Sequence, residues 1–451
     1  MRGGAAVALV AALAVPASAA YASEAGTCDD LNSGAGDYTL TTDLTCDVTV
    51  TGDMTLDLNG HTLTNASGHT ITVNNGAKLT VTGNGTVDNT TNGKAALDIE
   101  DGGSATLNGG TFTRSKESGT STGFTDSGSA NGNSYYTVLN HGILVIDGAT
   151  VENSGTYSSA IDNGWYSGSP TITPKSTLVM KSGTISVGKF LKNDSYGVMD
   201  IQGGTVQGGT TSGPILNWND LTISGGTFKP VPGAKGVVLL PDSTVDPNNA
   251  EALTVTGGDF SQTDAPLVNQ ENAAVGTVKV SGGKYSAANK PANLEVADGY
   301  TTWDNGDGTT SVVPSEATVT YVRQSEGQSG AVSGQATVGQ PYTIMTAPDG
   351  GTWNTKEDGT GTTYKGGETV TMTPDGLTLY YIPGTAATTT PQSNTTTGDK
   401  AATDAKTTSD ASDASTGAIA KTGVNVAAII AVAVVALAAG IALTVVRKAR
   451  H

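Results

Sequence analysis

Five aromatic side chains in the middle of the chain could bind sugars. Tyr135 and Tyr136 are adjacent, as are Trp165 and Tyr166, and Trp218 follows later; all lie in longer inserts or turns. Exposed aromatic rings offer large flat surfaces that stack on sugar rings. We therefore predict that Trp165, Tyr166 and Trp218 contribute to a glycan-binding platform. The same rings could instead only cover the flank of the fold, and the sequence leaves both interpretations open.

The ionisable side chains give a weaker indication of catalysis. His61 and His141 are each isolated in the sequence, which favours a structural role. Arg114 lies in a Ser/Gly/Thr-rich stretch, where we predict a solvated side chain. The acidic run 304–308 does not have the spacing of an EF-hand loop and is predicted to be a turn. We predict no metal site and no cofactor.

The two cysteines, Cys28 and Cys46, are predicted to form a disulfide. Both belong to the predicted exported part of the chain, where paired cysteines are oxidised. Seventeen residues lie between them, so closing this loop would contribute about 3 kcal/mol in the chain-entropy model. Two free thiols are the alternative.

Most of the chain consists of a degenerate repeat. In each copy, apolar residues alternate with polar ones, and a Gly-containing pair, a small residue and an apolar residue follow. The alternation directs apolar side chains such as Leu79 and Val81 inward and the threonines outward. The copies are LTVTGNGTV at 79–87, ATLNGGTF at 105–112, LVIDGATV at 144–151, LVMKSGTI at 178–185, MDIQGGTV at 199–206, LTISGGTF at 221–228, LTVTGGDF at 253–260 and VKVSGGKY at 278–285.

The spacing of the repeat predicts a parallel β-helix. The shortest separation between successive copies is 21 to 22 residues, which is the length of three short strands and three turns, and longer intervals indicate inserted loops. No coil can bury its apolar face alone, so the coils must stack. At a strand spacing of about 4.8 Å, about ten coils would make a rod of about 50 Å. A sandwich of stacked hairpins is the alternative fold.

The segment LDLNGHTL at 56–63 resembles the first coils of pectin-lyase-like right-handed β-helix proteins. This resemblance covers about 60% of the chain and implies an all-β fold for residues 23–315, with the disulfide near its N-terminal end. It implies little about function, because this fold carries lyases, hydrolases and adhesins alike.

The catalytic motifs of the sugar-cleaving relatives are missing. Polygalacturonase-type enzymes carry N-T-D, D-D, G-H-G and R-I-K on successive coils, and these do not occur in that order here. Asp29-Asp30 lies at the capping end, and residues 140–142 read N-H-G without a basic motif after them. Pectate-lyase-type sites combine calcium-binding acids with a basic residue, and no such set is apparent. We therefore predict that the protein is not an enzyme.

A second module is predicted at 316–384. Its segment W-N-T-K-E-D-G-T-G-T-T-Y at 353–364 resembles the internalin-type B repeat (Listeria–Bacteroides repeat), a small β-grasp-like unit of surface proteins. The resemblance implies adhesion or spacing, with Trp353 and Tyr364 in the core of the module. Residues 385–418 are almost entirely Thr, Ala, Ser, Asp, Gly and Lys, which predicts a disordered stalk.

The two ends of the chain predict export and attachment. Residues 1–22 have the basic, apolar and small-residue regions of a signal peptide. Near the other end, 424–446 is apolar and uncharged, about 35 Å long as a helix, and a basic tail follows. Residues 419–451 as a whole resemble the LPxTG-type cell-wall sorting signal of Gram-positive bacteria, in a variant form, which implies cleavage between Thr422 and Gly423 by a sortase and transfer to a cell-wall peptide. The motif consists of Ile419, Ala420, Lys421, Thr422 and Gly423.

Composition is consistent with a protein on the outer face of such a cell, in the wall or the membrane. The 41 acidic and 23 basic side chains give a net charge of −18, which disfavours nucleic acid as a partner. We predict an adhesin or a module that binds a glycan or a host surface protein. The alternatives are an extracellular polysaccharide lyase or glycoside hydrolase, and a structural stalk or minor pilin subunit.

Overall fold

The computed structural model describes residues 22–117, 124–125, 128–129, 133–165, 168–172, 175–241, 251–271, 276–292, 295–325 and 328–384. The predicted signal peptide, stalk, sorting signal and apolar segment 424–446 therefore lie outside the described residues, apart from residue 22. Within the described part of the chain, no helix is long and apolar enough to cross a membrane.

The first body of the protein is a stack of parallel strands, as the repeat predicts. One face is a nine-stranded parallel sheet, and 21 further strands belong to a second sheet. The short strands at 124–125 and 128–129 pair with each other as a separate antiparallel hairpin. In chain order the strands are β1 (Ser23–Ala25), β2 (Gly36–Leu40), β3 (Leu44–Thr45), β4 (Val48–Val50), β5 (Asp53–Asp57), β6 (Thr62–Thr64), β7 (Ile71–Val73), β8 (Lys78–Thr82), β9 (Thr86–Asp88), β10 (Leu97–Ile99), β11 (Ser104–Leu107), β12 (Thr111–Thr113), β13 (Phe124–Thr125), β14 (Gly128–Ser129), β15 (Val138–Asn140), β16 (Ile143–Asn153), β17 (Ile161–Asn163), β18 (Ser176–Val187), β19 (Leu191–Asn193), β20 (Gly197–Ile201), β21 (Thr205–Gly208), β22 (Ile215–Asn217), β23 (Asp220–Ile223), β24 (Thr227–Pro230), β25 (Val238–Leu240), β26 (Ala252–Val255), β27 (Asp259–Phe260), β28 (Val268–Gln270), β29 (Thr277–Val280), β30 (Lys284–Ser286), β31 (Tyr300–Asp304) and β32 (Thr309–Pro314).

The apolar residue that ends each repeat lies in the core. All eight are no more than 1% exposed, and the registered pairs place successive members side by side on neighbouring strands. At the C-terminal end the rings of Phe228, Phe260 and Tyr285 stack with centroid distances of 4.6 and 5.0 Å. The predicted inward direction of Leu79 and Val81 is confirmed, since both are fully buried. The row consists of Val87, Phe112, Val151, Ile185, Val206, Phe228, Phe260 and Tyr285.

The two glycines of the repeat are required for two different physical reasons. At Gly225 a Cβ atom would overlap the carbonyl oxygen of Gln202 on the preceding coil. Gly226 has a φ of +89°, which L side chains rarely adopt. The first glycine permits close stacking of the coils, and the second permits the turn.

Local elements close both ends of the stack. A short helix α1 (Cys28–Leu31) buries Leu31, and Cys28 forms the predicted disulfide with Cys46. At the other end β30 pairs with β32, which forms an antiparallel hairpin with β31. The acidic run 304–308 is the turn of this hairpin, as predicted, and Asp304 and Asp307 accept backbone hydrogen bonds from Gly306 and Thr309 at 2.8 and 3.0 Å.

The C-terminal part of the described chain forms a second, mixed sheet with its own core. Trp353 is fully buried, and its Nε1 donates a 2.8 Å hydrogen bond to the carbonyl oxygen of Met345; Tyr364 packs against the same cluster. The predicted core roles of both rings are confirmed. The sheet order is β34-β33-β39-β36-β37, with β35 and β38 as a separate pair. The elements are β33 (Glu316–Ser325), β34 (Gln328–Thr337), β35 (Pro341–Thr343), a 3-10 turn (Pro348–Gly350), β36 (Thr352–Asn354), β37 (Thr363–Tyr364), β38 (Thr369–Thr371) and β39 (Leu377–Ile382).

Candidate functional site

A groove of about 560 Å³ runs over the outer surface of the nine-stranded sheet. It crosses strands β15, β17, β19 and β22, which are neighbours in that sheet. This volume is in the range of small-molecule sites, and aromatic rings dominate its walls. The aromatic residues are Tyr135, Tyr136, Tyr157, Trp165, Phe190 and Trp218.

The floor of the groove follows from the alternation of side chains along each strand. The four strands are only three residues long, and each reads apolar, variable, asparagine. The first residue is buried in the core, so the variable one faces out. The variable residues are paired in register and form one outward row across the coils. They are Leu139, Asp162, Lys192 and Leu216.

A ladder of buried asparagines fixes the positions of these strands. Asn140 donates to Asn163, Asn163 to Asn193 and Asn193 to Asn217, with Nδ2–Oδ1 distances of 2.7, 2.8 and 2.8 Å. Each amide also donates to a backbone carbonyl at 2.9–3.1 Å. Amide pairs of this kind satisfy the buried polar atoms and resist sliding of one coil on the next.

The residues that follow the ladder form one wall of the groove. His141 and Trp165 stack with ring centroids 4.2 Å apart and an interplanar angle of 23°. The structure thus brings together the predicted residues Trp165 and Trp218, and His141 is not isolated as the sequence indicated. The Nε1 of Trp165 is buried without a hydrogen-bond partner among the described residues.

The second wall comes from residues that precede the strands. Tyr135 and Tyr136 lie edge to face at 5.4 Å, and both end the insert between β12 and β15. Tyr157 and Phe190 precede β17 and β19, and the ammonium group of Lys189 lies 4.9 Å from the centre of the Tyr157 ring.

A compact group of charges occupies the floor. Lys192 forms a close ion pair with Asp194, and its Nζ lies 3.8 Å from Oδ1 of Asp162. Asp162 also hydrogen-bonds to the side chains of Tyr136 and Asp194. Burial raises the pKa of Asp162 to about 7, although Lys192 favours its ionised form. The floor therefore carries a proton that can be gained or lost near neutral pH.

The structure corrects the prediction for Arg114. Its side chain is only 2% exposed and is buried below the groove wall. The guanidinium donates to the backbone carbonyls of Lys94, Thr91 and Asn133 at 2.8 to 2.9 Å and pairs with Glu117. Because the stacked coils bring these acceptors together, the Arg114 side chain is fully satisfied away from water.

This Arg114 cluster supports the second wall. The Glu117 carboxylate accepts a 2.9 Å hydrogen bond from the backbone N–H of Tyr135. The carbon atom at the centre of the Arg114 guanidinium lies 5.9 Å from the Tyr135 ring centroid. Both contacts tie the end of the long insert to the stack.

Tyr166 and the sorting motif 419–423 lie outside the described residues. His61 lies near Asp43, at 3.5 Å, on an exposed part of the stack. In the described ranges, no group of three or more His, Cys, Asp or Glu side chains could hold a metal ion.

Sequence reasoning missed the charged floor, although a signal for it exists. The triplets VLN, IDN, LKN and ILN recur at 138–140, 161–163, 191–193 and 215–217. In each triplet the apolar first residue faces the core, so the middle residue must face outward. This alternation places Asp162 beside Lys192.

Comparisons with known proteins found no matching family model, no matching curated protein and no matching solved structure.

Proposed function

We propose that this protein is a surface-displayed carbohydrate-binding protein and that the aromatic groove on the nine-stranded sheet is its binding site. The observation that carries the proposal is the convergence of six aromatic rings around one groove with hydrogen-bonding groups on its floor. Sugar rings present apolar faces and hydroxyl edges, so such a mixture suits them.

The proposal includes the cellular setting inferred from the sequence. Residues 1–22 direct export, and 419–451 attach the chain to the outer face of a Gram-positive-type cell, with cleavage at Thr422–Gly423. The stack of strands is then a right-handed β-helix of pectin-lyase-like type, and 316–384 is an internalin-type spacer or adhesion module. Adhesion to a glycan-bearing surface is the role that this arrangement serves.

The proposal is tested with the full chain, purified in a mild detergent, against a panel of plant, microbial and host glycans. We expect Trp218→Ala to weaken retention on the recognised glycan at least tenfold, since losing a stacked ring removes about 1.5 kcal/mol or more. Tyr300→Ala is the matched control, because Tyr300 is an exposed aromatic outside the groove. Equal retention of both variants would show that the glycan binds elsewhere, and no retention of any glycan would remove the proposal.

Glycan cleavage is a second candidate function, and one observation favours it. Asp98 pairs with Leu139 and Leu139 with Asp162, so the two acids stand two coils apart in one outward row. Their Cα atoms are therefore about 10 Å apart, near the range of about 6.5–9.5 Å between the carboxyl groups of inverting glycosidases. Burial raises the pKa of Asp98 to about 6, and that of Asp162 is also raised, so either could donate a proton.

New sugar ends distinguish the two candidates. If these two acids catalyse cleavage of a glycan, Asp98→Asn and Asp162→Asn should each lower the release of new sugar ends about 100-fold. Retention without new ends supports binding alone. Release that neither substitution changes would come from another source and would exclude this pair of acids.

A further inference from the structure

Lys189 is a cation held at the groove by aromatic rings. It is half-buried just before β19 and lines the groove with Tyr157 and Phe190. Its Nζ lies 4.9 Å from the ring centre of Tyr157 and 5.9 Å from that of Phe190. The electron-rich ring faces attract the ammonium group and replace part of its lost hydration.

Unlike its neighbour, Lys189 has no carboxylate to neutralise it. Lys192 pairs with Asp194 and lies near Asp162, whereas no salt bridge joins Lys189 to any described residue. Burial, and then the repulsion from Lys192, lowers the pKa of Lys189. The groove thus contains a partly desolvated positive charge that no carboxylate of the described residues compensates.

The charge of the groove is opposite to that of the whole chain. By formal charge, Lys189 and Lys192 contribute two positive charges and Asp194 contributes one negative charge. Burial raises the pKa of Asp162 to about 7, so this carboxyl group is partly protonated near neutral pH. The groove as a whole, floor and wall together, is therefore neutral to positive in a protein whose net charge is −18. Neutral sugars would leave the Lys189 ammonium group without a counter-charge.

We propose that the groove selects sugars that carry an anionic group, with Lys189 pairing with that group. This inference rests on the proposed carbohydrate-binding function and specifies its ligand class. The anion is a carboxylate or a sulfate; both accept charge-assisted hydrogen bonds from an ammonium group. The aromatic walls hold the sugar rings, and Lys189 supplies the selectivity.

The test compares anionic and neutral oligosaccharides of equal length on the full chain. The anionic arms are an oligouronate, a sialylated oligosaccharide and a sulfated oligosaccharide, so that the source of the charge is resolved. We expect Lys189→Met to weaken binding of the preferred anionic ligand at least tenfold, in line with the loss of a charged hydrogen bond. Binding of neutral ligands should weaken less than about threefold. Lys78→Met is the control for net charge, because Lys78 is an exposed residue at the start of β8 in the other sheet.

The outcomes separate this inference from the proposed function. If anionic and neutral sugars bind alike, and Lys189→Met changes neither, the selectivity is wrong while the carbohydrate site stands. If anionic sugars bind and the Lys78 and Lys189 variants lose the same affinity, the effect is one of overall charge and the assignment to Lys189 fails. If no sugar of either class binds, the proposed function itself fails. If 0.5 M salt weakens the binding of the anionic ligand but not that of neutral ligands, the ion pair is supported.

Discussion

Asp162 is the residue at which the fold departs most from ordinary surface chemistry. Only 2% of it is exposed, and its neighbours are Tyr136, Asp194 and Lys192. Burial penalises the ionised carboxylate, while Lys192 favours it, and burial dominates. A side chain placed in this way is costly when charged, and such residues often mark a functional site.

This raised pKa predicts how stability varies with pH. The unfolded Asp162 releases its proton near pH 4, but the folded protein keeps it until about pH 7. The folded state therefore binds more protons between these values, so this group makes stability fall as pH rises through the window. Asp162→Asn should remove about 2–4 kcal/mol of that pH dependence.

The prediction is measured as the free energy of unfolding of the wild-type chain and of Asp162→Asn between pH 4 and 8. The difference between the two should change with pH and then level off above pH 7. Asp43→Asn is the control, because Asp43 is exposed near the N-terminal end of the stack. Parallel pH profiles for wild type and Asp162→Asn would contradict the account of the floor.

At the scale of elements, the short strands of the groove depend on the asparagine ladder. A three-residue strand has few backbone hydrogen bonds, and the links between Asn163, Asn193 and Asn217 hold three coils in register. The ladder therefore also sets the spacing of Asp162, Lys192 and the wall residues that follow each asparagine.

Replacing one asparagine of the ladder should show that the ladder supports both the stability of the stack and the geometry of the groove. Asn193→Ala leaves one N–H of Asn163 without an acceptor and removes one of the two hydrogen bonds that Oδ1 of Asn217 accepts. We therefore expect a loss of about 2–4 kcal/mol in unfolding free energy. We also expect weaker glycan retention, because Asp194 and Trp218 lose their support. Asn84 is exposed, so Asn84→Ala should change the unfolding free energy by no more than about 0.5 kcal/mol and leave glycan retention unchanged. A variant that keeps full stability would show that the ladder is dispensable.

The long-period pattern was predictable, but the local site was not. The Gly-containing repeats specify a stack because their apolar ends, from Val87 to Tyr285, recur at intervals that fit whole coils. The groove strands are too short for a period of two to be recognised. The partners of Arg114, at positions 91, 94, 117 and 133, meet only when coils stack, so its burial could not be inferred from its polar neighbours. Trp165 and Trp218 were identified by residue type, whereas Asp162 and Lys192 required the register.

At the scale of the whole molecule, charge and architecture serve different purposes. The net charge of −18 repels anionic ligands at long range. In the proposed function, the aromatic groove attracts the sugar at short range, through ring stacking and Lys189. The association rate of an anionic sugar should therefore be low at low salt, whereas the short-range contacts should make the complex specific.

Hydroxyl-radical footprinting of the full chain with a saturating, retained oligosaccharide tests the central claim most directly, because it reports the exposure of individual side chains. The account predicts that oxidation of Trp165, Trp218 and Tyr157 falls at least threefold, since a bound sugar covers the half-exposed rings. Tyr300, on the terminal hairpin, should be oxidised at an unchanged rate. Protection at Tyr300 or in the 316–384 sheet, with the groove rings still reactive, would place the glycan elsewhere and contradict the assignment of the groove.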